Sequence, residues 1–302
     1  MPSPEPAPDT ESRDPDPVKT NSTPSPAPPE KGLRAFLRRR SVRIGLRVVI
    51  YVGLGLLLLR WLETRMTFLP AKEWSQSLSS IADSEEVFFE SEDGLRLSGA
   101  WFPHSAAKGA IVFCHGNAGN LADRLHIANA WRRQLGYSVF LFDYRGYGKS
   151  EGSPSESGLL KDTRAAFAEA ARLGSCTPIL AGRSLGSVPA VLVARETAPL
   201  ALILDSPIAD AGKMARKILP IPGIEWLVSL ELDNLSNIAH IACPILVLHG
   251  DRDNVVPFDH GKMVFDQAND PKRFVRLRGM GHNDLRTAGA PMRAVEDFVA
   301  DL

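Results

Sequence analysis

From about residue 84 onward, short apolar runs alternate with longer stretches that have the pattern of amphipathic helices. Most of these runs are continuously apolar, which is typical of strands buried on both faces of a parallel sheet. Strands that alternate with helices along the chain predict an α/β fold, with helices covering both faces of a mostly parallel central sheet. The six runs are GAIVFC (109–114), YSVFLFD (137–143), TPILA (177–181), LALILD (200–205), PILVLH (244–249) and RFVRLR (273–278).

A predicted β-hairpin precedes these runs. The stretches EEVFFES and LRLSGAWF are joined by EDG, and Asp93-Gly94 is a common turn dipeptide between antiparallel strands. We therefore expect one folded domain over residues 66–302, with enough apolar residues for a sizeable core. Within it, residues 206–243 separate two strands and leave room for a short helical lid.

The N-terminal region has two different compositions. Residues 1–30 are dense in Pro, Ser and acidic residues, so we expect a disordered tail that cannot bury enough apolar surface to fold. Residues 31–65 combine a basic segment with the apolar stretch Ile44–Leu62, which is close to the roughly 20 residues that a membrane-spanning helix needs. Because Val48–Leu59 is apolar all round, a transmembrane helix is favoured over a core helix of a soluble protein. The basic residues are Lys31, Arg34, Arg38, Arg39, Arg40, Arg43 and Arg47.

The position of these basic residues predicts an orientation in the membrane. Positive residues flank the cytoplasmic end of membrane helices, so we expect the N-terminus in the cytoplasm and the folded domain on the opposite, periplasmic or extracytoplasmic side. A cleaved signal peptide is disfavoured because the region before the apolar stretch is very long and no small-residue cleavage site follows it. The sequence thus predicts a single-pass signal anchor.

Charge and cysteine content exclude several other classes of protein. The formal net charge is zero, so the sequence offers no basic surface for nucleic acid. The three cysteines, Cys114, Cys176 and Cys243, lie far apart and form neither a disulfide framework nor a zinc-binding pair. Histidines and acidic residues also lack the spacing of metal ligands, so we expect no metal and no cofactor.

One short motif could suggest a nucleotide site. Gly148-Lys149-Ser150 matches the end of a phosphate-binding loop. That loop needs a glycine five residues before the second one, and Asp143 occupies the position. We therefore reject nucleotide binding at this loop.

The stretch AGRSLGS (181–187) places a serine between two glycines where a strand gives way to a helix. A serine hydroxyl is a weak nucleophile unless a base takes its proton, and it must stand clear of its own backbone to reach a carbonyl. Gly182 and Gly186 permit a sharp turn that lifts Ser184 to the start of the helix. Because small residues are common at turns, this motif alone is weak support for catalysis.

Two further groups at predicted strand ends strengthen the interpretation. His282 lies in GMGHND, between the last strand and the final helix, and an imidazole can act as a base near neutral pH. Asp251 and Asp253 follow the preceding strand, where a carboxylate could orient that imidazole. Ligands of open α/β sheets bind beyond the carboxyl ends of the strands, so these side chains are expected to lie together.

Over residues 67–302 the sequence resembles the α/β-hydrolase superfamily, and in particular the Bem46 or ABHD13/ABHD17-like branch of membrane-anchored serine hydrolases. The resemblance implies an α/β-hydrolase fold preceded by one transmembrane helix. It is carried by FLP, DGLRLSGAWFP, HGNAGN, DYRGYGKSEGSPSE, GRSLGS, HGDRDNVVP and GMGHND.

The resemblance also implies roles for individual residues. Ser184 corresponds to the nucleophile, His282 to the general base, and Asp253, shortly before Val256-Pro257, to the acid of the triad. Asp251 remains the second choice for the acid. The oxyanion hole is expected to use the backbone N–H groups of Leu185 and Asn117. Arg183, beside the nucleophile, could contact an acyl or leaving group or form a structural salt bridge.

The sequence therefore predicts a serine hydrolase of the carboxylesterase or thioesterase type, acting on a small-molecule or lipid-like acyl substrate through a covalent acyl-enzyme. A serine peptidase of the same fold is one alternative. A membrane-tethered binding protein without catalysis is another, because a fold alone does not determine function.

Overall fold

The computed structural model describes Ser3 and residues 30–284, 287 and 289–302. Apart from Ser3 and Glu30, the predicted disordered tail lies outside the described residues. The chain divides into two compact units, Met1–Gly55 and Leu56–Leu302.

The first helix, α1, extends over Glu30–Thr67. It is longer than the apolar stretch because the residues on either side of that stretch, such as Leu, Arg, Glu and Met, also have high helix propensity. Its segment Arg38–Thr67 is 30 residues long and its most apolar part is not buried in the protein. At about 1.5 Å per residue this segment is longer than the hydrocarbon core of a bilayer is thick, and it is a candidate transmembrane span.

The second unit is built around an eight-stranded sheet, in which every strand expected from the sequence is present. The strand order is β1-β2-β4-β3-β5-β6-β7-β8. Strands β1 and β2 form the expected antiparallel hairpin, β2 also pairs antiparallel with β4, and the remaining pairs are parallel. The strands are β1 (Glu85–Glu90), β2 (Arg96–Phe102), β3 (Ala110–Cys114), β4 (Ser138–Phe142), β5 (Ile179–Arg183), β6 (Leu202–Asp205), β7 (Ile245–Gly250) and β8 (Lys272–Leu277).

Helices cover both faces of the sheet and create two apolar cores. One core packs α3, α4 and α7 against one face, through residues such as Leu159, Val191 and Val264. The other packs α2 and α8 against the opposite face, through residues such as Trp131 and Phe298. The remaining helices are α2 (Leu125–Leu135), α3 (Glu156–Gly174), α4 (Ser187–Thr197), α5 (Ala211–Ile218), α6 (Leu235–Ile238), α7 (Phe258–Gln267) and α8 (Gly289–Ala300).

Residues 206–243, between β6 and β7, are predicted from the sequence to form a short lid, and we call them the lid segment. It contains α5, α6 and a short 3-10 turn at Ile224–Trp226. Because β3, β5, β7 and β8 are parallel, their carboxyl ends lie at one edge of the sheet, and the loops that follow them meet there.

Candidate active site

Ser184 lies on a sharp turn between β5 and α4. The strand ends at Arg183, a 3-10 turn covers Ser184–Gly186, and α4 begins at Ser187. Ser184 has a φ of 52°, in the left-handed region that residues with a Cβ rarely adopt. Such a conformation costs on the order of 1–3 kcal/mol and persists only where the surroundings impose it.

The two glycines of the motif are required by close packing of the turn. A Cβ on Gly182 would lie 2.6 Å from the carbonyl oxygen of Gly186 and 2.8 Å from the Cβ of Ala190. A Cβ on Gly186 would overlap the carbonyl oxygens of Cys114 and His115. The turn therefore packs directly against α4 on one side and against the end of β3 on the other.

Pro189 lies within α4, where a proline in the helix interior would break a backbone hydrogen bond. It is the third residue of α4, within the first turn, where a missing N–H leaves no intrahelical bond unmade.

A buried hydrogen-bond network around Ser187, which the AGRSLGS motif did not predict, stabilises the turn. The hydroxyl of Ser187 donates to the carbonyl oxygen of Ser184 at 2.6 Å. The same hydroxyl accepts hydrogen bonds from the amide of Asn234 at 2.9 Å and from the N–H of Ile208 at 3.3 Å. Residues of the lid segment thus support the turn through Ser187. In the sequence, the feature that could have indicated this network is Ser187 itself, a small polar residue three positions after Ser184.

His282 and Asp253 form a hydrogen-bonded pair. His282 Nδ1 lies 2.7 Å from Asp253 Oδ2. The other oxygen of Asp253 accepts the N–H groups of Val255 at 2.9 Å and Val256 at 2.8 Å, which fixes the carboxylate. His282 is nearly buried. With Nδ1 bound to Asp253, Nε2 of His282 is the ring nitrogen left to exchange a proton.

A second histidine, which the sequence analysis did not single out as part of the site, contributes to the charge state of Asp253. Burial raises the pKa of Asp253, but hydrogen bonds with His249 and His282 outweigh it and hold that pKa well below its usual range. His249 is fully buried, and its Nε2 lies 3.5 Å from Asp253 Oδ2 and 3.0 Å from the carbonyl oxygen of Val256. Asp253 is consequently ionised at neutral pH.

Asp251, the second choice for the acid, is engaged elsewhere. Its carboxylate accepts the N–H of Gly279 at 2.6 Å and the guanidinium of Arg276 at 3.0 Å. The structure therefore brings Asp253, and not Asp251, to His282.

Arg183 connects the end of β5 to the loop that carries His282. Its guanidinium donates to the carbonyl oxygen of His282 and, at 3.4 Å, to the side chain of Asn283. Its Nε lies 3.5 Å from Asp205 Oδ2. Of the two roles considered for Arg183, these contacts favour the structural salt bridge.

No hydrogen bond joins the Ser184 hydroxyl to His282 in the part of the chain that the structure describes, and such contacts often tighten only when substrate binds.

The loop after β3 adjoins Ser184 and carries Asn117. A Cβ added to Gly116 would lie 3.6 Å from the Cβ of Ser184. The side-chain oxygen of Asn117 accepts the N–H of Leu69 at 2.9 Å and the hydroxyl of Tyr147 at 3.2 Å. Among the described loops and helix caps, no backbone hydrogen bond uses the N–H of Asn117 or of Leu185.

His115 holds the start of this loop in place. It is fully buried, its Nδ1 lies 2.7 Å from the carbonyl oxygen of Gly116, and its Nε2 lies 3.5 Å from Asp143. Its ring packs against Tyr144, with the ring centroids 4.6 Å apart.

Comparisons with known proteins agree with this architecture. The chain is 35% identical over 244 residues to the uncharacterized protein Rv2307c of Mycobacterium tuberculosis, an alignment that covers 78% of this chain and 86% of that one. It is 31% identical over 199 residues to the alpha/beta hydrolase domain-containing protein 17B of Xenopus laevis, covering 65% of this chain and 67% of that one. The chain belongs to the α/β-hydrolase family. Residues 105–237 match the Hydrolase_4 family, described as serine aminopeptidase, S33.

Solved structures of other α/β-hydrolases share the fold at low sequence identity. The esterase Pf2001 of Pyrococcus furiosus superposes with a TM-score of 0.63 at 19% identity, covering 78% of this chain and 95% of that one. An alpha-beta hydrolase of Vibrio vulnificus superposes with a TM-score of 0.65 at 22% identity, covering 81% and 94%. At these identities the likeness establishes the fold.

Among the described residues, no group of three or more His, Cys, Asp or Glu side chains is placed to hold a metal ion. The cysteines are free thiols, and burial raises the pKa of Cys243 to about 11.

Proposed function

We propose that this α/β-hydrolase is a serine hydrolase that cleaves acyl ester or thioester bonds. The observation that carries the proposal is the pair of His282 and an ionised Asp253 at the same sheet edge as Ser184, whose strained turn is stabilised by close packing. A strained backbone at a nucleophile is a cost that the surrounding packing sustains. A sharp turn from strand to helix is the conformation that places such a serine at the edge of the sheet.

The reaction proceeds in two halves. In the first, Ser184 Oγ attacks the carbonyl carbon while Nε2 of His282 takes the hydroxyl proton, and the carbonyl π electrons move to oxygen. The N–H groups of Leu185 and Asn117 stabilise this oxyanion, and each such donor typically contributes on the order of 10²–10³ in kcat. Collapse of the tetrahedral intermediate expels the alcohol or thiol, which receives the proton from His282.

In the second half, water repeats the attack on the acyl-enzyme. His282 takes a proton from the water, the oxyanion forms in the same hole, and collapse breaks the bond between the acyl carbon and Ser184 Oγ. The serine recovers its proton from His282. Throughout, Asp253 holds Nδ1 protonated and stabilises the imidazolium.

The proposed substrate is a small-molecule or lipid-like acyl compound, because we also propose that α1 anchors the domain to a membrane. In this arrangement the N-terminus is cytoplasmic and residues 66–302 form the catalytic domain on the other side, with 206–243 as its lid.

A C-terminal alkaline phosphatase fusion, which is active only outside the cytoplasm, tests this orientation. An inactive fusion protein of full length would contradict it.

A serine peptidase remains the second candidate, because the matching family is described as a serine aminopeptidase. Aminoacyl p-nitroanilides distinguish the two activities. Cleavage of these amides in preference to esters would favour the peptidase.

The direct test of the esterase proposal is the initial rate of hydrolysis of p-nitrophenyl esters of increasing acyl length by the full-length protein in detergent micelles. We expect Ser184→Ala to lower kcat by at least about 10³-fold, because it removes the group that forms the intermediate. Ser153→Ala, which changes an exposed serine of the loop before α3, is the matched control and keeps the wild-type rate. Equal rates for wild type and Ser184→Ala would contradict the proposal.

A further inference from the structure

The lid segment exposes an unusual concentration of large apolar side chains, which we call the lid ridge. Trp226 is 87% exposed, and its neighbour Leu227 is 53% exposed. Scattered exposed apolar residues are ordinary on a soluble protein, whereas a contiguous group marks a surface that contacts something apolar. The lid ridge consists of Ile218, Leu219, Ile221, Trp226 and Leu227.

The lid ridge is attached to the C-terminal end of α1. The carboxylate of Glu63, on α1, accepts the N–H of Ser229 at 3.0 Å and the N–H of Leu230 at 3.1 Å. It also accepts the hydroxyl of Ser229. Leu227 precedes Ser229 by two residues, so their Cα atoms are within about 7 Å of each other. The ridge is thus held close to the last turns of α1.

These last turns of α1 have the composition of a membrane interface. Leu57, Trp61 and Met66 are 64%, 55% and 65% exposed. The guanidinium of Arg65 lies over the ring of Trp61, 5.4 Å from its centroid. Tryptophan and arginine at the end of an apolar helix typically lie at the level of the lipid headgroups. Glu63 lies between Trp61 and Arg65 in the sequence. The lid residues that bind Glu63, and the lid ridge beside them, therefore lie at the level of the headgroups as well.

We propose that the lid ridge docks on the surface of the lipid bilayer, with its apolar side chains inserted at the boundary between headgroups and acyl chains. The composition of α5, which leads into the ridge, fits this occupant. It carries Lys213, Arg216 and Lys217, of which Lys213 pairs with Asp210 at 2.6 Å and Arg216 pairs with Glu225 at 2.5 Å. Basic residues beside apolar ones are typical of segments that bind anionic lipid surfaces. This docking rests on the proposed anchoring by α1 and not on the proposed chemistry.

Docking of the ridge determines where substrate enters. The chain just after α1 also contacts the loop that carries the proposed oxyanion hole. The N–H of Leu69 donates to the side chain of Asn117, and the carbonyl oxygen of Leu69 accepts the N–H of Gly119 at 3.2 Å. The N–H of Ala71 donates to the carbonyl oxygen of Gly119 at 3.1 Å. The lid segment and this loop are therefore both held to residues 63–71, on the membrane-proximal side. In this arrangement the substrate is an acyl compound that reaches Ser184 from the bilayer surface, a consequence that does rest on the proposed hydrolase function.

Bromine quenching of tryptophan fluorescence tests the docking without requiring any activity. The full-length protein is reconstituted into vesicles of phosphatidylcholine and phosphatidylglycerol whose acyl chains carry bromine. Subtracting the spectra of Trp226→Phe and of Trp61→Phe from that of the wild type isolates the signal of each tryptophan. We expect the Trp226 signal to be blue-shifted and quenched by bromine, and the Trp61 signal to be quenched as well.

The outcomes separate the docking from the anchoring. Quenching of Trp61 without quenching of Trp226 would overturn the docking and leave the anchor in place. Absence of quenching at both would overturn the two together. A Trp226 signal that is blue-shifted but not quenched would mean that protein, such as a second copy of the chain, covers the ridge, and this would also overturn the proposal.

A kinetic comparison tests the access route. The double variant Leu219→Ser, Ile221→Ser makes the ridge polar, and Leu200→Ser is the matched control, because this 40% exposed leucine precedes β6 at the opposite edge of the sheet. We expect the double variant to hydrolyse a diacyl ester embedded in vesicles about tenfold more slowly or worse, through a higher apparent KM, and p-nitrophenyl acetate at the wild-type rate. Unchanged hydrolysis of the embedded ester would overturn the route. A loss on both substrates would also overturn it, since the ridge would then act on the chemistry.

Discussion

At the residue scale, the pairing of His282 with Asp253 determines which nitrogen of the imidazole can act as a base. Nδ1 of His282 faces the carboxylate at 2.7 Å, so a proton resides there and Nε2 stays available. An amide in place of the carboxylate can donate its own hydrogen to Nδ1 and thereby favour the wrong tautomer.

We therefore expect Asp253→Asn to lower kcat by about 10⁴-fold while leaving the fold intact. Steady-state kinetics with a p-nitrophenyl ester, together with circular dichroism, measure the two effects. Asp251→Asn is the control, because Asp251 binds Gly279 and Arg276 instead of a histidine. A greater loss of activity in Asp251→Asn than in Asp253→Asn would contradict the assignment of Asp253 as the acid.

The charge of Asp253 also predicts how stability depends on pH. Its pKa in the folded protein lies below the roughly 3.9 of an unfolded chain, so the ionised carboxylate stabilises the fold at pH values above about 4. That contribution is lost progressively as the pH falls below about 4 toward the folded-state pKa. We expect the difference in unfolding free energy between the wild type and Asp253→Asn to be constant above about pH 5 and to shrink in stronger acid. Urea denaturation in micelles measures it, and a difference that grows in acid would contradict the account.

At the scale of the elements, the turn between β5 and α4 depends on the absence of a side chain at Gly186. The Cβ of an alanine would overlap the carbonyl oxygens of Cys114 and His115 at the end of β3. The turn must then move away from β3, which displaces Ser184 from the Asn117 loop.

For Gly186→Ala we expect a loss of about 1–3 kcal/mol in unfolding free energy and a fall in kcat. Gly55→Ala on α1 is the control, because a Cβ there meets no heavy atom within 4 Å. Chemical denaturation and ester hydrolysis measure the two effects. A Gly186→Ala protein with the stability and kcat of the wild type would show that the turn is not packed as described.

A buried ion pair connects the β1–β2 hairpin, the loop after β4 and α3. Arg145 is nearly buried and Asp162 is fully buried. Their closest nitrogen and oxygen atoms are 2.8 Å apart, and Asp93 accepts two further hydrogen bonds from the same guanidinium, at 2.9 and 3.0 Å. Hydrogen bonds with Asp162 raise the pKa of Arg145 above its usual range.

Removing the charge of Asp162 leaves the nearly buried guanidinium of Arg145 with Asp93, a partly exposed carboxylate that compensates it only in part. We therefore expect Asp162→Asn to cost about 3 kcal/mol of unfolding free energy. Asp266→Asn is the matched control, because Asp266 and Lys262 form an exposed pair on α7 worth about 0.5 kcal/mol or less. Urea denaturation in micelles measures both variants. Equal costs would mean that burial does not control the strength of these pairs.

The sequence predicted elements well and long-range contacts poorly. Strands β3 to β7 were recognisable because their continuous apolar runs record burial on both faces. The serine was recognisable because the glycines record a tight turn. The contribution of His249 was not predicted, since a histidine that ends a strand has the same sequence signal whether or not it meets a carboxylate. The hydrogen bond between Ser187 and Asn234 joins residues 47 positions apart in the sequence, and the one between Glu63 and Ser229 joins residues 166 positions apart. No local sequence pattern predicts contacts at such separations.

At the scale of the whole molecule, the proposed catalytic groups come from three loops that follow parallel strands. Ser184 follows β5, Asp253 follows β7 and His282 follows β8. The sheet positions these loops because its parallel strands all end at one edge. Arg183, at the end of β5, contacts both Asp205 at the end of β6 and the carbonyl oxygen of His282, so the position of the His282 loop depends on the ends of these two strands.

The most direct test of the central claim is the position of the covalent adduct that a fluorophosphonate forms with the full-length protein, determined by peptide mass spectrometry. A fluorophosphonate modifies a serine only when a neighbouring base activates it. We expect a single adduct on Ser184 in the wild type and no adduct in His282→Ala. An unmodified Ser184 in the folded wild type, or equal labelling in His282→Ala, would contradict the claim that this chain is a serine hydrolase.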